Sequence, residues 1–198
     1  MILYGASGHA KVILDICQAN KVEVTAILDD NKNITSLNGH RVSQLDDQRS
    51  TNETFIISVG DNRTRKKMVD RNDFFYGNAI HPNAVVDKTS VIDVGSVVMA
   101  GVIINASSII GKHCIINTSA TVDHDCTLKD FVHISPNATL CGGIELGEGT
   151  QIGAGAVVIP NLKIGKWCTI GAGAVVISDI PDGATVVGNP GRIIKSNN

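Results

Sequence analysis

Aliphatic residues recur at every sixth position throughout the second half of the chain. Stepping by six from Ile80 to Val176 gives Ile, Val or Leu each time, without a break in register. A period of six fits neither the turn of an α-helix nor the two-residue alternation of a strand. It predicts a solenoid in which each hexad forms one short strand and one corner, with the aliphatic side chain pointing inward. The 17 positions are Ile80, Val86, Ile92, Val98, Ile104, Ile110, Ile116, Val122, Leu128, Ile134, Leu140, Leu146, Ile152, Val158, Ile164, Ile170 and Val176.

Small residues accompany this repeat at a fixed offset. Three hexads would close one triangular coil, so the 17 hexads predict between five and six coils. Glycine often follows the aliphatic residue directly, where it would relieve crowding of the backbone at a corner. Four places after the aliphatic stand Ala84, Ser90, Ser96, Ser108, Cys114, Ala120, Cys126, Ala138, Thr150, Ala156, Cys168 and Ala174.

The first half of the chain has no six-residue period. The short apolar strand "MILY" leads through the loop "GASGHA" into the helical run "KVILDICQANK". The strands "VEVTAILDD" and "TFIISVG" follow, and then the basic helix "DNRTRKKMVDRN". This β-α-β…β-α order predicts a small parallel, Rossmann-like sheet with ligand-facing loops at the carboxyl ends of its strands. We expect this domain to span residues 1–76, and the repeat domain with its tail to span residues 77–198.

Composition limits the classes of function. The chain has 198 residues, of which 43% are hydrophobic and 18% charged, as in globular proteins. A net charge of -2 and 4% aromatic residues give no case for binding nucleic acid or a membrane surface. The start has no signal-peptide pattern and no long apolar run occurs, so a cytoplasmic location is expected. The five cysteines form no CxxC pair, and no histidine–carboxylate motif has metal spacing, so we expect no metal.

The loop "GASGHA" allows three interpretations: a nucleotide-sugar site, a dinucleotide site, or a turn without a ligand. Gly5 and Gly8 would let backbone N–H groups approach an anion at the start of a helix. Asp29 lies 24 residues after Gly5, which also suits the ribose of a dinucleotide such as NAD, although the full glycine fingerprint is missing. A turn that merely needs glycine is the third reading. We favour a nucleotide-sugar site.

The stretch "TVDHDC" carries the strongest candidate for catalysis. His124 falls two places after the inward Val122, so its side chain should leave the prism outward. Asp123 and Asp125 flank it, and a neighbouring carboxylate raises the basicity of an imidazole and fixes its tautomer. Either carboxylate could hold the ring, and we expect Asp125 to do so.

Several stretches together resemble one family of enzymes. The hexads are similar to the hexapeptide-repeat, left-handed parallel β-helix proteins. "YGASGHA", "LDD", "SVGDNRTRKK", "NTSATVDHDC" and "GNPGRI" resemble bacterial nucleotide-sugar N-acetyltransferases that acetylate a 4-amino sugar. Looser forms of the same stretches mark sialic acid O-acetyltransferases. The resemblance implies an acetyl-CoA donor, a UDP-linked 4-amino-4,6-dideoxy sugar acceptor, and a homotrimer with active sites between subunits.

The resemblance also assigns roles to individual residues. His124 matches the catalytic base and Asp125 its acidic support, where many relatives have glutamate. His133 lies near the thioester of acetyl-CoA, and Gly142 offers its N–H to the thioester carbonyl. Further along the acetyl-CoA groove lie Ala154, Ala172, Gly188, Asn189 and Pro190. The nucleotide-sugar set is Gly5, Ser7, Gly8, His9, Asp29, Asp30, Gly60, Asp61, Asn62 and Arg65.

The remaining candidate residues are expected to have structural or solvent-exposed roles, not catalytic ones. Cys114, Cys126 and Cys168 occupy the small-residue position and should be packing residues, not nucleophiles. His113 has no acidic neighbour in sequence, so we expect it to be solvated. Trp167 could equally be a contact or a surface aromatic. Two other functions stay open: O-acetylation of a sialic acid or related sugar, and a trimeric binding scaffold without chemistry, in which His124 would have no role.

Overall fold

The amino-terminal part of the chain forms a small α/β unit in the computed structural model, which describes residues 1–45 and 53–196. Strand β1 (Ile2–Tyr4) lies between β2 (Ala26–Leu28) and β5 (Phe55–Ile57) and is parallel to both. Helix α1 (Gly8–Ala19) follows β1, and helix α2 (Asn62–Asp70) follows β5. The carboxyl ends of three parallel strands therefore meet at one edge of the sheet, as predicted.

A hairpin that the sequence analysis did not predict extends this sheet. Strands β3 (Ser36–Leu37) and β4 (His40–Ser43) are antiparallel, and the sheet order is β3-β4-β2-β1-β5. Asn38 and Gly39 form the turn with φ of 46° and 82°. An Asn-Gly pair is the usual signal for such a two-residue turn, so the sequence did contain the information.

The second part of the chain is a parallel solenoid built mainly of two-residue strands, and its last strand is antiparallel. The second residue of each two-residue strand is the hexad aliphatic, and from Val98 onward all of these side chains are buried. The predicted fold class, a small Rossmann-like α/β unit followed by a left-handed parallel β-helix, is confirmed. The strands are β6 Ala79–Ile80, β7 Val85–Val86, β8 Val91–Ile92, β9 Val97–Val98, β10 Ile103–Ile104, β11 Ile109–Ile110, β12 Ile115–Ile116, β13 Thr121–Val122, β14 Thr127–Leu128, β15 His133–Ile134, β16 Thr139–Leu140, β17 Glu145–Leu146, β18 Gln151–Ile152, β19 Val157–Val158, β20 Lys163–Ile164, β21 Thr169–Ile170, β22 Val175–Val176, β23 Thr185–Val187 and β24 Arg192–Lys195.

The strands stack into three sheets, which are the faces of a triangular prism. The first sheet contains β6, β9, β12, β15, β18, β21, β23 and β24, the second contains β7, β10, β13, β16, β19 and β22, and the third contains β8, β11, β14, β17 and β20. We call the edge between the second and third sheets, which includes residues 123–126, the His124 corner. The edge between the third and first sheets, which includes residues 111–114 and 129–132, is the docking corner. The edge between the first and second sheets, which includes residues 153–156 and 171–174, is the groove corner.

Each turn from Gly95 to Gly173 contains one residue with positive φ, three places after the aliphatic. Glycine adopts this conformation without strain, and Asn and Asp tolerate it better than other residues. This position was not predicted from the sequence, although Gly, Asn, Ser and Asp are enriched there. The residues are Gly95, Gly101, Ser107, His113, Ser119, Asp125, Phe131, Asn137, Gly143, Gly149, Gly155, Asn161, Trp167 and Gly173.

The α/β unit packs on the first sheet of the solenoid. Apolar residues of α1, including Ala10 and Ile13, share a buried cluster with the outward residues Ala79, Val97 and Ile115 of β6, β9 and β12. The proposed domain division, between residues 76 and 77, falls between the bridge that joins Tyr76 to Phe55 and the start of β6. The outward positions of the next strands of this sheet are His133, Gln151 and Thr169, which are polar.

Candidate active site

The imidazole of His124 stands on the surface of the His124 corner with one carboxylate partner. Its Nδ1 lies 2.7 Å from Oδ2 of Asp125, and both side chains are more than half exposed. The hydrogen bond to Asp125 raises the pKa of His124 most, and the negative charge of Asp123 raises it further. Because Nδ1 faces the carboxylate, Nε2 is left to accept a proton from another molecule.

Asp123 has a different task from Asp125. Its Oδ1 accepts from the backbone N–H of His124 and from Nδ2 of Asn105, each at 2.8 Å. These two hydrogen bonds lower the pKa of Asp123 and fix the turn. Asn105 occupies the equivalent turn one coil earlier and was missed by the sequence analysis, because a residue 18 positions away gives no local signal. The geometry agrees with the expectation that Asp125 is the partner of the imidazole.

Gly142 lies directly against the His124 ring, one coil further along. A Cβ on Gly142 would be 2.5 Å from Cε1 and 2.6 Å from Nε2 of His124, closer than atoms can approach. Within the described part of the chain, the N–H of Gly142 has no hydrogen-bond acceptor. The arrangement leaves a free backbone donor beside the free nitrogen of the imidazole.

Most of the predicted nucleotide-sugar residues meet at the carboxyl edge of the α/β sheet. Gly5 has φ of 118° and packs closely on Val59, and Ser7 precedes α1 without capping it through its side chain. The loop before α1 therefore lies beside the loop after β5, which contains Gly60 and Asp61. A helix start with free N–H groups favours phosphate binding. The residues that the structure groups here are Gly5, Ser7, Gly8, His9, Asp29, Asp30, Gly60 and Asp61.

The two acids after β2 are both engaged within the protein. Asp29 accepts from the backbone N–H of Ala6 at 2.7 Å and from that of Asn31 at 2.8 Å. Asp30 accepts a short hydrogen bond from the hydroxyl of Tyr4 and pairs with Arg71 at 2.5 Å. Burial, and next the hydrogen bond to Asp30, raise the pKa of Tyr4 to about 12. Tyr4 and Arg71 were not singled out from the sequence, since their contact with Asp30 exists only in the folded sheet.

Asn62 and Arg65, which the sequence expectation assigns to the nucleotide-sugar site, are buried behind this edge in the single chain. Arg65 is 1% exposed, and its guanidinium donates to protein oxygens. Asn62 is also buried and donates to the carbonyl of Gly149 at 3.0 Å. Both side chains therefore join α2 to the docking corner.

His133 lies where the first sheet emerges from beneath the α/β unit. Nδ2 of Asn117 is 3.1 Å from its Nε2, and Oδ1 of Asn117 accepts from the N–H of Thr118, which orients the amide. Burial and the charge of Arg65 lower the pKa of His133 to about 3, while an interaction with the carbonyl of Gly60 opposes this. Burial likewise lowers the pKa of His9 to about 4. Both rings are neutral near pH 7.

His113 is not solvated, and that prediction is wrong. It is 3% exposed, lies edge-on to Tyr76 at 4.5 Å and stacks on Phe131 at 5.3 Å. Burial lowers its pKa to about 4. The hexad register correctly placed His113 at a corner, but it could not reveal that this corner is covered by α2 and Tyr76. Cys114, Cys126 and Cys168 are buried, as expected of packing residues.

The remaining residues predicted to bind acetyl-CoA lie toward the end of the solenoid. Ala154 and Ala172 are exposed at the groove corner, and a Cβ on the neighbouring Gly155 or Gly173 would meet open space. Gly188, Asn189 and Pro190 are exposed in the turn between β23 and β24. Small side chains thus leave this edge of the prism uncovered in the single chain.

The structure divides the predicted site into two groups. His124, Asp125 and Gly142 lie at the His124 corner, between the second and third sheets. His133 and the nucleotide-sugar residues lie at the first sheet, which is the opposite face of a triangular prism. One chain therefore does not bring the two groups together.

In residues 1–45 and 53–196 no cluster of three or more His, Cys, Asp or Glu side chains could hold a metal ion. Neither described helix has the length and apolar character needed to cross a membrane.

Comparisons with known proteins match both parts of the chain. Residues 1–72 match the PglD N-terminal domain, and residues 125–159 and 143–178 match the bacterial transferase hexapeptide family (six repeats). A curated protein of Acanthamoeba polyphaga mimivirus is 37% identical over 65 residues, and this match spans only 13% of that relative's length.

Solved structures match over nearly the full length. The acetyltransferase domain of PglB from Neisseria gonorrhoeae is 38% identical with a TM-score of 0.92, covering 98% of both chains. PerB from Caulobacter crescentus, in complex with CoA and GDP-perosamine, is 39% identical with a TM-score of 0.91, covering 98% of this chain and 96% of that one. WeeI from Acinetobacter baumannii is 30% identical with a TM-score of 0.90, covering 98% of both chains.

Proposed function

Because the chain belongs to the hexapeptide-repeat nucleotide-sugar N-acetyltransferases, we propose that it transfers acetyl from acetyl-CoA to the 4-amino group of a nucleotide-linked 4-amino-4,6-dideoxy sugar. The observation that carries the proposal is the exposed His124–Asp125 pair, 2.7 Å apart, beside the free N–H of Gly142. We propose UDP as the nucleotide. PerB was solved with GDP-perosamine, which supports a nucleotide-linked amino sugar as acceptor. The PglB domain was solved with acetyl coenzyme A, which supports acetyl-CoA as donor.

The proposed mechanism uses His124 as general base. Nε2 accepts a proton from the sugar ammonium, and the freed amine attacks the thioester carbonyl of acetyl-CoA. The N–H of Gly142 donates to the oxyanion that forms. The C–S bond then breaks, the imidazolium returns its proton to the leaving thiolate, and the nitrogen releases its second proton to solvent as the neutral amide forms. No covalent enzyme intermediate is needed, in keeping with the burial of Cys126 beneath the turn.

We propose that the protein works as a homotrimer. The two groups of site residues occupy opposite parts of one prism, so a second chain must supply the other half. Apolar side chains that are exposed in the single chain support this: Val85 (65%), Val91 (56%) and Ile109 (50%) flank the His124 corner in its first coils. A neighbour that covers them would set its own first sheet against His124.

Acetyl transfer can be tested directly with purified protein. We expect thiol release from acetyl-CoA that depends on a UDP-linked 4-amino-4,6-dideoxy sugar, with one acetamide formed per thiol and a trimer mass in solution. The measurement is a thiol-reagent assay over UDP-, GDP- and dTDP-amino sugars, with sialic acid as the O-acetyl acceptor. Transfer only to sialic acid would establish the O-acetyltransferase alternative. No transfer to any acceptor would contradict the proposal and favour a trimeric binding scaffold without chemistry.

The pH dependence should separate the two aspartates. The rate needs neutral His124, so kcat/KM rises with pH through the raised pKa of His124. Asp125→Asn removes the largest influence that raises this pKa, so the acidic limb should move to lower pH. Asp123→Asn should move the acidic limb in the same direction but less, because Asp123 raises the pKa of His124 only through its charge. Profiles of kcat/KM between pH 5 and 9 provide the measurement, and a larger shift for Asp123→Asn would reverse the assignment.

A further inference from the structure

Helix α2 lies along the docking corner of four successive coils. The corner residues His113, Phe131, Gly149 and Trp167 occupy equivalent positions, each 18 residues apart, and all have positive φ. Side chains of α2 reach each of them. Arg65 donates to the carbonyls of His113 at 2.8 Å and Phe131 at 3.0 Å, Asn62 donates to that of Gly149, and the guanidinium of Arg63 lies 4.5 Å from the Trp167 ring centre.

The guanidinium of Arg65 is the centre of this contact. It also donates to the carbonyls of Val59 at 3.0 Å and Gly60 at 3.1 Å, and to Oδ1 of Asn62 at 2.8 Å. It therefore joins the loop after β5 to two coils of the solenoid. Among the described residues no carboxylate lies within ion-pair distance of it. A buried cation without a counter-ion is costly, so its charge is balanced only by these oriented oxygens.

One of these oxygens is shared with the site. The carbonyl of Gly60, which accepts from Arg65 at 3.1 Å, also acts on His133, because it raises the pKa of that imidazole against the effect of burial. Since Nε2 of His133 accepts from Asn117, the proton of the neutral ring is on Nδ1, which can face the carbonyl of Gly60. Arg65 thus fixes an oxygen that, together with Asn117, holds the tautomer and direction of His133.

We propose that Arg65 is a positioning residue, which locks the Gly60 loop of the nucleotide-sugar edge and the His133 ring into one geometry across the domain boundary. This inference rests on the proposed function of that edge. It replaces ligand binding as the role of Arg65.

Lysine cannot reproduce this network. Arg65→Lys keeps the positive charge but offers three N–H donors from a single point, where five oxygens now accept. Arg63→Lys on the same helix is the matched control, because an ammonium can still lie over Trp167.

We expect Arg65→Lys to raise KM for the nucleotide sugar on the order of tenfold and to lower kcat several-fold, with a smaller change in KM for acetyl-CoA. The ¹⁵N spectrum of the imidazoles distinguishes positioning from a purely structural role, because a purely structural role of Arg65 would leave that spectrum unchanged. In wild type His133 should show one neutral tautomer protonated on Nδ1, and in folded Arg65→Lys a mixture of tautomers. Arg63→Lys should match wild type in all of these.

A folded Arg65→Lys protein with an unchanged His133 spectrum and an unchanged KM overturns the proposal. If that variant does not fold, Asn62→Ala tests the same network, since it removes one acceptor of Arg65 and the tie to Gly149. Unchanged KM and tautomer in folded Asn62→Ala would also count against it. If wild type acetylates no amino sugar, the proposed function fails, whereas the spectra still decide the positioning role.

Discussion

His124→Ala is expected to lower kcat by about 10²–10⁴-fold, because it removes the group that accepts the ammonium proton. The side chain is more than half exposed and packs little, so the fold and the binding of acetyl-CoA should be retained. The measurements are kcat by the thiol assay, thermal unfolding, and acetyl-CoA affinity by calorimetry. A variant that keeps wild-type turnover would remove His124 from the mechanism.

Mixed trimers test whether the two histidines of one active site come from different chains. If His124 and His133 of one active site come from different chains, a mixture of His124→Ala and His133→Ala chains contains some intact sites. Random assembly would give about a quarter of wild-type activity, although neither variant is active alone. If both histidines came from one chain, every site in the mixture would lack one of them, and no activity would return.

Gly142→Ala is expected to reduce kcat on the order of 10²-fold with little loss of stability. The new Cβ would be 2.5 Å from Cε1 of His124, and the exposed ring can escape only by swinging outward, away from Asp125. Displacing a general base by an ångström costs rate far more than it costs folding. The rate and the thermal unfolding of the single variant provide the first measurement.

A double variant shows whether the loss of rate in Gly142→Ala comes from displacement of the His124 ring. In the His124→Ala background, Gly142→Ala has no ring to displace, so it should cause almost no further loss of rate or stability. A loss of the same size in both backgrounds would show that the methyl group acts elsewhere, for example on the backbone N–H proposed to bind the oxyanion.

The solenoid was predictable because its cause is local and repeated. Each of the hexad aliphatics from Val98 onward points into the prism, so one register fixed every strand and also placed His124 on the outside. The pairing of His124 with Asp125 was equally local, since the two residues are adjacent. The Asn38–Gly39 turn and the positive-φ corners also have local sequence signals, although they were not predicted.

What the sequence could not supply was contact between distant segments. The roles of Asn105 and Asn117 depend on residues 18 and 16 positions away, across neighbouring coils. His113 was misjudged for the same reason, and the burial of Arg65 had no local signal either. Their burial comes from the docking of α2 on the solenoid, and a motif resemblance reports that a residue belongs to a pattern but not which way it faces.

The position of α2 also changes how the solenoid should unfold. In a repeat protein each coil contacts only its neighbours, so coils can open one at a time from an end. Here a single helix ties four coils together through Arg65, Asn62 and Arg63. Those coils and the α/β unit then form one cooperative block in hydrogen exchange, whereas the coils beyond Trp167 can fray independently. The exposed edge that contains Ala172 lies in the part of the molecule that can loosen without disturbing the carboxyl edge of the α/β sheet.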